Sequence, residues 1–196
     1  MDDQNERLQQ DIRDLQAVRR VLAGEKDAFR ELVSRYTDPL YSLCYRYLGS
    51  GEDAEEAVQD VFRKAYRALE SFDPQKRFFT WLYTIAINHV RSIGRSKERK
   101  TKQRSLSYDE LVSAPADASY DDPDEQAIRN EAGRAIQAAL GELNESYRRV
   151  FVLRHIQNLS GSEVAEILDM PENTVKTHLR RARQQLRDIL ERWGWG

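Results

Sequence analysis

LSGSEVAEILDMPENTVKTHLRRARQQLR, residues 159–187, is the stretch that decides the fold of the C-terminal part of the chain. Ser160 and Glu163 have the spacing of a capping box, which predicts that a helix begins here. Pro171 cannot continue that helix, and Asp169 is a residue type that tolerates a tight turn. The stretch therefore predicts two helices joined by only a few residues.

The second of these helices is predicted to have an apolar side and a basic side. Its apolar residues alternate at spacings of four and three, which places them on one stripe: Val175, Leu179, Ala182, Leu186 and Leu190. The opposite stripe is polar and basic: Asn173, Thr177, Arg180 and Gln184, flanked by Lys176, Arg181 and Arg187. A helix-turn-helix with such a face can enter a DNA major groove. An ordinary helical hairpin with a solvated charged face is the alternative.

The composition favours small helical domains in a reducing compartment. Of the 196 residues, 33% are charged, so each hydrophobic core must be small. The formal net charge is −2, but basic residues cluster in residues 91–104 and 176–187, and local patches determine the field that a ligand meets. The single cysteine, Cys44, excludes an internal disulfide. No apolar run reaches membrane-spanning length, so we expect a cytoplasmic protein without membrane insertion.

Residues 1–26 are predicted to form an amphipathic N-terminal extension, because apolar residues recur there at helical spacing. From Asp27 onward a buried seam follows on both sides of Pro39, where a kink is expected. Cys44 lies on this seam, which indicates a packed thiol and not a nucleophile. Gly49 ends the seam, and Ser50 can cap the next helix.

The helix after Ser50 is predicted to have a charged outer side, formed by Glu55, Glu56, Gln59, Asp60, Arg63 and Lys64. From spacing alone, a solvated surface is the simpler interpretation. A metal or acid–base site is not supported, because no histidine or cysteine lies nearby in the sequence to complete it.

Aromatic and basic residues are concentrated in the loop and helix that follow. The loop begins at Phe72 and contains Lys76 and Arg77, and Thr80 is the predicted N-cap of the helix. Flat rings and guanidinium groups are the side chains that hold unstacked bases of single-stranded nucleic acid. The helix continues into a basic run suited to phosphate contact, with a solubilising helix end as the alternative: Asn88, Arg91, Arg95, Lys97, Arg99 and Lys100.

The periodicity fails in residues 101–125, where Ser, Ala, Asp and two prolines accumulate, and we predict an acidic flexible linker. Helical spacing returns in residues 126–192, which predicts a second domain of about four helices that ends in the helix-turn-helix. Residues 193–196 form a C-terminal tail.

Four segments together closely resemble bacterial sigma factors of the extracytoplasmic-function (group IV) class, in the sigma-70 family. These segments are DAEEAVQDVF (residues 53–62), FTWLYTIAIN (79–88), YRRVFVLR (147–154) and NTVKTHLRRAR (173–183). The resemblance covers about residues 27–190 except the linker. It implies an all-α fold, with a region 2-like domain at residues 27–100 and a region 4-like domain at residues 126–192. It also implies a promoter-recognition subunit of RNA polymerase that is not an enzyme and needs no cofactor or metal.

The resemblance also implies a role for individual residues. Those that would bind the clamp helices of the beta-prime subunit are Glu56, Gln59, Asp60 and Arg63. Those that would recognise the minus-ten element and capture its flipped bases are Phe72, Lys76, Arg77, Phe79, Tyr83, Asn88, Arg91 and Arg95. Those that would read the minus-thirty-five element are Asn173, Thr174, Lys176, Thr177, Arg180, Arg181 and Gln184. The implied partners are core RNA polymerase, through its beta-prime and beta subunits, promoter DNA and an anti-sigma factor.

Several positions depart from the family pattern. Asn144 stands where a proline is usual, Asp169 and Asn173 stand where glycines are usual, and Gly161 stands where a bulky residue is frequent. Asn and Asp can adopt the left-handed conformation, so we expect the turn to form.

Three other functions are compatible with parts of the sequence. A dimeric helix-turn-helix repressor or activator would use the C-terminal half but not the aromatic loop. An enzyme is poorly supported, because the three histidines are scattered and no Gly-rich phosphate loop is present. A helical adaptor would bind protein and not DNA.

Overall fold

The structure is a computed structural model that describes residues 2–103 and 123–194, and in these ranges the chain is helical. The eight α-helices of the described residues are α1 (Asp2–Leu22), α2 (Phe29–Leu48), α3 (Gly51–Ala68), α4 (Phe78–Gln103), α5 (Pro123–Glu142), α6 (Glu145–Phe151), α7 (Gly161–Leu168) and α8 (Glu172–Arg192). The predicted all-α fold with two groups of helices is confirmed. Most of the predicted linker, residues 104–122, lies outside the described residues.

Local sequence signals explain where several helices begin and end. Gly49 ends α2 in the left-handed conformation (φ 74°), and the hydroxyl of Ser50 accepts a hydrogen bond from the backbone N–H of Asp53, which caps α3. Ser160 and Glu163 form the predicted capping box at the start of α7. Asp169 ends α7 with a φ of 49°, so this non-glycine residue makes the predicted tight turn.

The start of α4 differs from the prediction. Helix α4 begins at Phe78 and not at Thr80, because the backbone N–H of Trp81 already bonds to the carbonyl of Arg77 at 3.2 Å. The Thr80 hydroxyl therefore lies inside the first turn. Helix α2 contains Pro39, the position at which a kink is expected; the proline removes one backbone N–H but does not end the helix.

Helices α1 to α4 enclose the core of the N-terminal group of helices. Its fully buried side chains come from all four helices and include Val18, Leu32, Leu43, Val61 and Phe78. Cys44 is 0% exposed within this core, as predicted, and burial raises the pKa of its thiol to about 12. At neutral pH the thiol is therefore protonated and unreactive.

Helices α5 to α8 enclose the core of the C-terminal group, which includes the buried side chains of Leu140, Leu153, Val164, Val175 and Ala182. A π-helical turn, Val152–Ile156, continues α6 and leads to Leu159, which is buried beside α7. Trp193 packs against the same core from the end of α8.

The two groups of helices contact each other along α2 and α4. On one side, the amide of Gln137 in α5 donates to the carbonyl of Tyr45 in α2 at 3.1 Å. The guanidinium of Arg148 lies 5.3 Å from the centre of the Tyr47 ring, a cation–π distance. On the other side, α7 packs on the first turns of α4. None of the described helices is long and apolar enough to cross a membrane.

Candidate nucleic-acid interface

The outer side of α8 is a continuous exposed face, which we call the recognition face. Its inner stripe is buried against α6 and α7 through Val175, Ala182 and Ile189. This burial turns the polar stripe outward, and all of its members are exposed except Thr174, which is half-buried: Asn173, Thr174, Lys176, Thr177, Arg180, Arg181 and Gln184.

Several side chains of the recognition face are held by neighbours, whereas others are not. The Thr177 hydroxyl donates to the carbonyl of Asn173 at 2.9 Å, and Arg181 donates to the Tyr147 hydroxyl at 3.2 Å. Lys176 and Arg180 have no hydrogen bond or ion pair to any other described residue. Their cationic groups are therefore available to an external anion or base edge.

The charged side of α3 is a second candidate surface, which we call the α3 outer face: Glu56, Gln59, Asp60 and Arg63. Asp60 is the most buried of the four, with 32% of its side chain exposed, and it is paired with Arg63 one turn later. The carboxylate of Asp60 also lies 3.3 Å from Nε2 of His89, which reaches it from α4.

His89 of α4 lies in a polar environment. The Nζ of Lys64 lies 2.5 Å from its Nδ1, and the ring is buried. Burial, followed by the charge of Lys64, lowers the pKa of His89. The ammonium group of Lys64 can only donate, so Nδ1 accepts and Nε2 carries the proton that faces Asp60. The four-residue spacing of Asp60 and Lys64 was visible in the sequence, but their contact with α4 was not.

The loop before α4 and the first turns of α4 contain the predicted base-capturing residues. Phe72 packs its ring against Trp81, with ring centres 5.2 Å apart, and is buried. Tyr83 is 1% exposed and stacks against the half-buried Phe79 at 4.3 Å. The rings of Phe72 and Tyr83 are therefore covered in this arrangement. Phe72 packs within the N-terminal group of helices, whereas Tyr83 also contacts the C-terminal group, because its hydroxyl donates to Gln157 at 2.8 Å.

The basic residues predicted for the same function differ in their exposure. Lys76, Asn88 and Arg95 are exposed. Arg91 lies 3.0 Å from the carboxylate of Glu145 at the start of α6. Arg77 is engaged by carboxylates from two other helices, which are described below. Lys97, Arg99 and Lys100 have no described side chains.

The described residues were also searched for a metal site. Among the described side chains, no group of three or more His, Cys, Asp or Glu residues is arranged to hold a metal ion. The site consists instead of exposed cations, aromatic rings and a charged helix face, which suit binding to nucleic acid and protein.

Known proteins resemble this chain in sequence and in fold. Residues 32–100 match the sequence profile of Sigma-70 region 2, and residues 133–186 match that of Sigma-70, region 4. The chain is 36% identical over 183 residues to the ECF RNA polymerase sigma factor SigW of Bacillus subtilis (strain 168), which covers 88% of this chain and 94% of the relative. The chain belongs to the extracytoplasmic-function sigma factors of the sigma-70 family. The ECF RNA polymerase sigma-E factor of Escherichia coli (strain K12) is 32% identical over 182 residues, 91% of this chain and 95% of the relative.

Solved structures agree with this assignment. The structure of CnrH in complex with the cytosolic domain of CnrY superposes with a TM-score of 0.69 at 27% identity and covers 91% of this sigma factor and 97% of that chain. The sigma factor RpoE in complex with the anti-sigma factor NepR from Bartonella quintana has the same fold, with a TM-score of 0.66 at 24% identity over 84% of this chain and 98% of that chain. The family predicted from four sequence segments is confirmed. As a sigma factor, the protein is not an enzyme; it acts with RNA polymerase to start transcription at promoters.

Proposed function

We propose that this sigma factor uses three separate surfaces: the recognition face of α8 for the minus-thirty-five element, the α3 outer face for core polymerase, and the start of α4 for the minus-ten element. The recognition face would belong to a region 4-like domain at residues 126–192. The α3 outer face and the start of α4 would belong to a region 2-like domain at residues 27–100. The exposed recognition face is the observation that carries the proposal, because its cationic side chains are accessible to a DNA duplex.

The recognition face suits duplex DNA. A second helix of a helix-turn-helix presents its exposed side chains to base edges in the major groove, while lysine and arginine neutralise phosphates. Arg180 has the length and the donors for bidentate contact with a guanine, and Lys176 suits a phosphate or a base. Thr174 and Thr177 lie at the N-terminal end of α8, where a recognition helix meets the bases.

The α3 outer face suits a helical partner of mixed charge. Glu56, Gln59 and Arg63 are exposed, and Asp60 is paired with Arg63 and lies 3.3 Å from Nε2 of His89. A carboxylate held in this way loses little side-chain entropy when it binds. We assign this face to the clamp helices of the beta-prime subunit, as the family resemblance implies.

The start of α4 suits unpaired bases once its surface is exposed. Phe79 and Tyr83 offer rings for stacking, and Lys76, Arg77 and Asn88 offer donors for phosphates and base edges. Phe72 would act indirectly, because its ring packs against Trp81 and so supports this surface from inside the domain. Arg91 and Arg95 would follow the phosphate backbone along the helix.

We also propose regulation by an anti-sigma factor in the cytoplasm, where RNA polymerase works. A structural relative, RpoE of Bartonella quintana, is bound to the anti-sigma factor NepR. Co-purification of this chain with an inhibitor, and loss of transcription on adding that inhibitor, would test the assignment.

Two substitutions separate the proposed surfaces. Arg180→Ala should weaken promoter binding by roughly 1 to 3 kcal/mol and relax specificity at one base pair, with binding to core polymerase unchanged. Asp60→Arg should abolish association with core polymerase while binding of the chain to duplex DNA persists. Gln59→Arg, at an exposed position, repeats the second test without disturbing the contact between Asp60 and His89.

Electrophoretic mobility shifts and polymerase pull-downs measure the two effects independently, and circular dichroism checks that each variant is folded. Unchanged promoter selection by Arg180→Ala would remove α8 from base recognition. Retained polymerase association in both α3 variants would remove the α3 outer face from the interface.

A further inference from the structure

The first turns of α4 are enclosed by two other helices of the same chain. The guanidinium of Arg77 donates from Nε to Asp11 of α1 at 2.8 Å, and it also donates to Glu163 of α7. Arg7 of α1 lies 3.7 Å from the second oxygen of Glu163. Two cations and two carboxylates thus join the N-terminal extension, the start of α4 and the helix-turn-helix.

Polar contacts continue along the same side of α4. The Thr80 hydroxyl lies 3.0 Å from a carboxylate oxygen of Glu166. The hydroxyl of Thr84 lies 3.4 Å from the carbonyl of Ile167. Arg77, Thr80 and Thr84 are separated by three and four residues, so they lie on one helix face, and α7 covers that face.

The covered face is the one assigned above to the minus-ten element, and the inference therefore rests on that proposed function. Tyr83 is 1% exposed, and its hydroxyl is bonded to Gln157. No base can stack on Tyr83 until the C-terminal group moves away. The carboxylates of Asp11 and Glu163 also occupy the guanidinium that a phosphate would bind.

The covering is selective, because the recognition face of α8 stays exposed in the same arrangement. The two DNA-binding surfaces therefore differ in their availability within one conformation. Duplex DNA can reach α8, whereas the ring of Tyr83 on α4 is covered.

The N-terminal extension is fixed in position for this contact. Asp14, one helical turn after Asp11, is 0% exposed; it accepts a hydrogen bond from the hydroxyl of Tyr36 and is paired with Arg35. This buried contact anchors α1 on α2, so that Asp11 faces Arg77.

The charged contacts are partly open to solvent, which makes them reversible. Arg77 keeps 34% of its side chain exposed, and together with Asp11, Phe79 and Glu163 it lines an open cavity of about 390 Å³. Ion pairs with this exposure are weakened by salt and can be exchanged for another anion.

We infer that α1 and α7 form an intramolecular docking surface that occludes the minus-ten face of α4 in the free chain, and that the phosphates and bases of single-stranded promoter DNA compete with Asp11 and Glu163 for that face. The N-terminal extension thereby has a function: its Asp11 supplies one of the two carboxylates that hold Arg77. Opening separates α7 from α4 before or during capture of the melted strand.

The double variant Asp11→Asn, Glu163→Gln removes both charges from Arg77. Glutamine keeps the capping box of α7, because Gln serves in place of Glu at this position. The affinity of the full chain for a fluorescent single-stranded oligonucleotide with the minus-ten sequence should rise roughly 5- to 150-fold, the range of a typical coupling between sites. The matched control, Glu52→Gln, Glu70→Gln, neutralises two exposed carboxylates elsewhere and should change the affinity less than about twofold.

Opening is measured directly with a pair of spin labels at Ser34→Cys in α2 and Glu191→Cys in α8, both exposed positions. The native Cys44 is buried and inaccessible to the label, so labelling is specific to the two introduced cysteines. The double variant should show a broader and longer distance distribution than the wild-type chain. Raising the salt concentration should open the wild-type chain in the same way, which provides the test if the double variant does not fold.

Identical distance distributions in both chains and at all salt concentrations would overturn the docking surface. A variant that opens but binds the oligonucleotide no more tightly would overturn the competition with DNA. If, in addition, Arg77→Ala in the open variant has no effect on oligonucleotide binding, the failure lies in the proposed minus-ten function, and the docking surface itself stands.

Discussion

His89 is a buried imidazole between an ammonium group and a carboxylate, and its charge state matters for the α3 outer face. The groups that face it are Lys64, Asp60, Glu56 and Arg63, all on α3. Burial and the nearby Lys64 lower its pKa, so the neutral ring is the form that fits the structure. Protonation would place a second cation against Lys64.

This environment predicts a pH dependence of stability. Because the pKa of His89 is lower in the folded chain than in the unfolded chain, the unfolded chain binds more protons as the pH falls below about 6.5. The stabilising contribution is therefore present above the unfolded pKa and is lost as the pH falls through the folded pKa. Urea unfolding of wild type and His89→Gln at about pH 7.5 and about pH 5.5 should show a smaller loss on acidification in the variant.

The same comparison has an internal control. Lys64→Met removes the ammonium group and should also reduce the pH dependence, because the pKa of His89 returns toward its ordinary value. Equal acid destabilisation of all three chains would contradict this role of His89. Other groups that titrate in this range are common to the three proteins and cancel in the difference.

Single-residue partners were the least predictable part of the site. The packing of Cys44 followed from its place on an apolar seam, whereas the contact of Lys64 with His89 spans 25 positions and that of Arg77 with Glu163 spans 86. A side chain's spacing in the sequence identifies its own helix face but not the helix that packs on that face. Arg77 therefore had a predicted ligand and no predicted intramolecular partner.

Among the elements, α7, the turn and α8 were the most predictable. A capping box, a left-handed residue and a stripe at helical spacing are all local signals, and each was found in the structure. The start of α4 was predicted three residues late, with Thr80 as the N-cap, because the hydroxyl that suggested a cap contacts Glu166 of another helix instead. A local capping signal gives the wrong helix start where a tertiary contact uses the same hydroxyl group.

The turn between α7 and α8 gives a prediction at the scale of elements. Asp169 has a φ of 49°, a conformation that costs a non-glycine residue about 1 kcal/mol. Asp169→Gly should therefore leave the stability unchanged or raise it by up to about 1 kcal/mol, whereas Asp169→Val should lower it by roughly 1 to 2 kcal/mol. Chemical unfolding measures both changes.

Asp169→Asn is the matched control, since asparagine also tolerates the left-handed region and should stay within about 0.5 kcal/mol of wild type. If valine were as stable as glycine at this position, the left-handed turn would not be the conformation in solution.

At the scale of the whole molecule, the N-terminal and C-terminal groups of helices contact each other through residues that the sequence did not identify as partners. Gln137 binds the end of α2, and Gln157 binds Tyr83 of α4. The sequence predicted two helical domains with a linker, but not how they contact each other, because the linker pattern carries no information on docking. The resulting arrangement exposes the recognition face and encloses the start of α4, which links the fold to the order of DNA binding.

The central claim is that this chain selects promoters for core RNA polymerase. The most direct measurement is in vitro transcription by purified core polymerase on a pool of genomic templates, with and without the chain, followed by mapping of RNA 5′ ends. We predict that the chain creates a set of new start sites that share one minus-ten and one minus-thirty-five sequence. If RNA chains begin at the same positions and rates in both reactions, the account is contradicted.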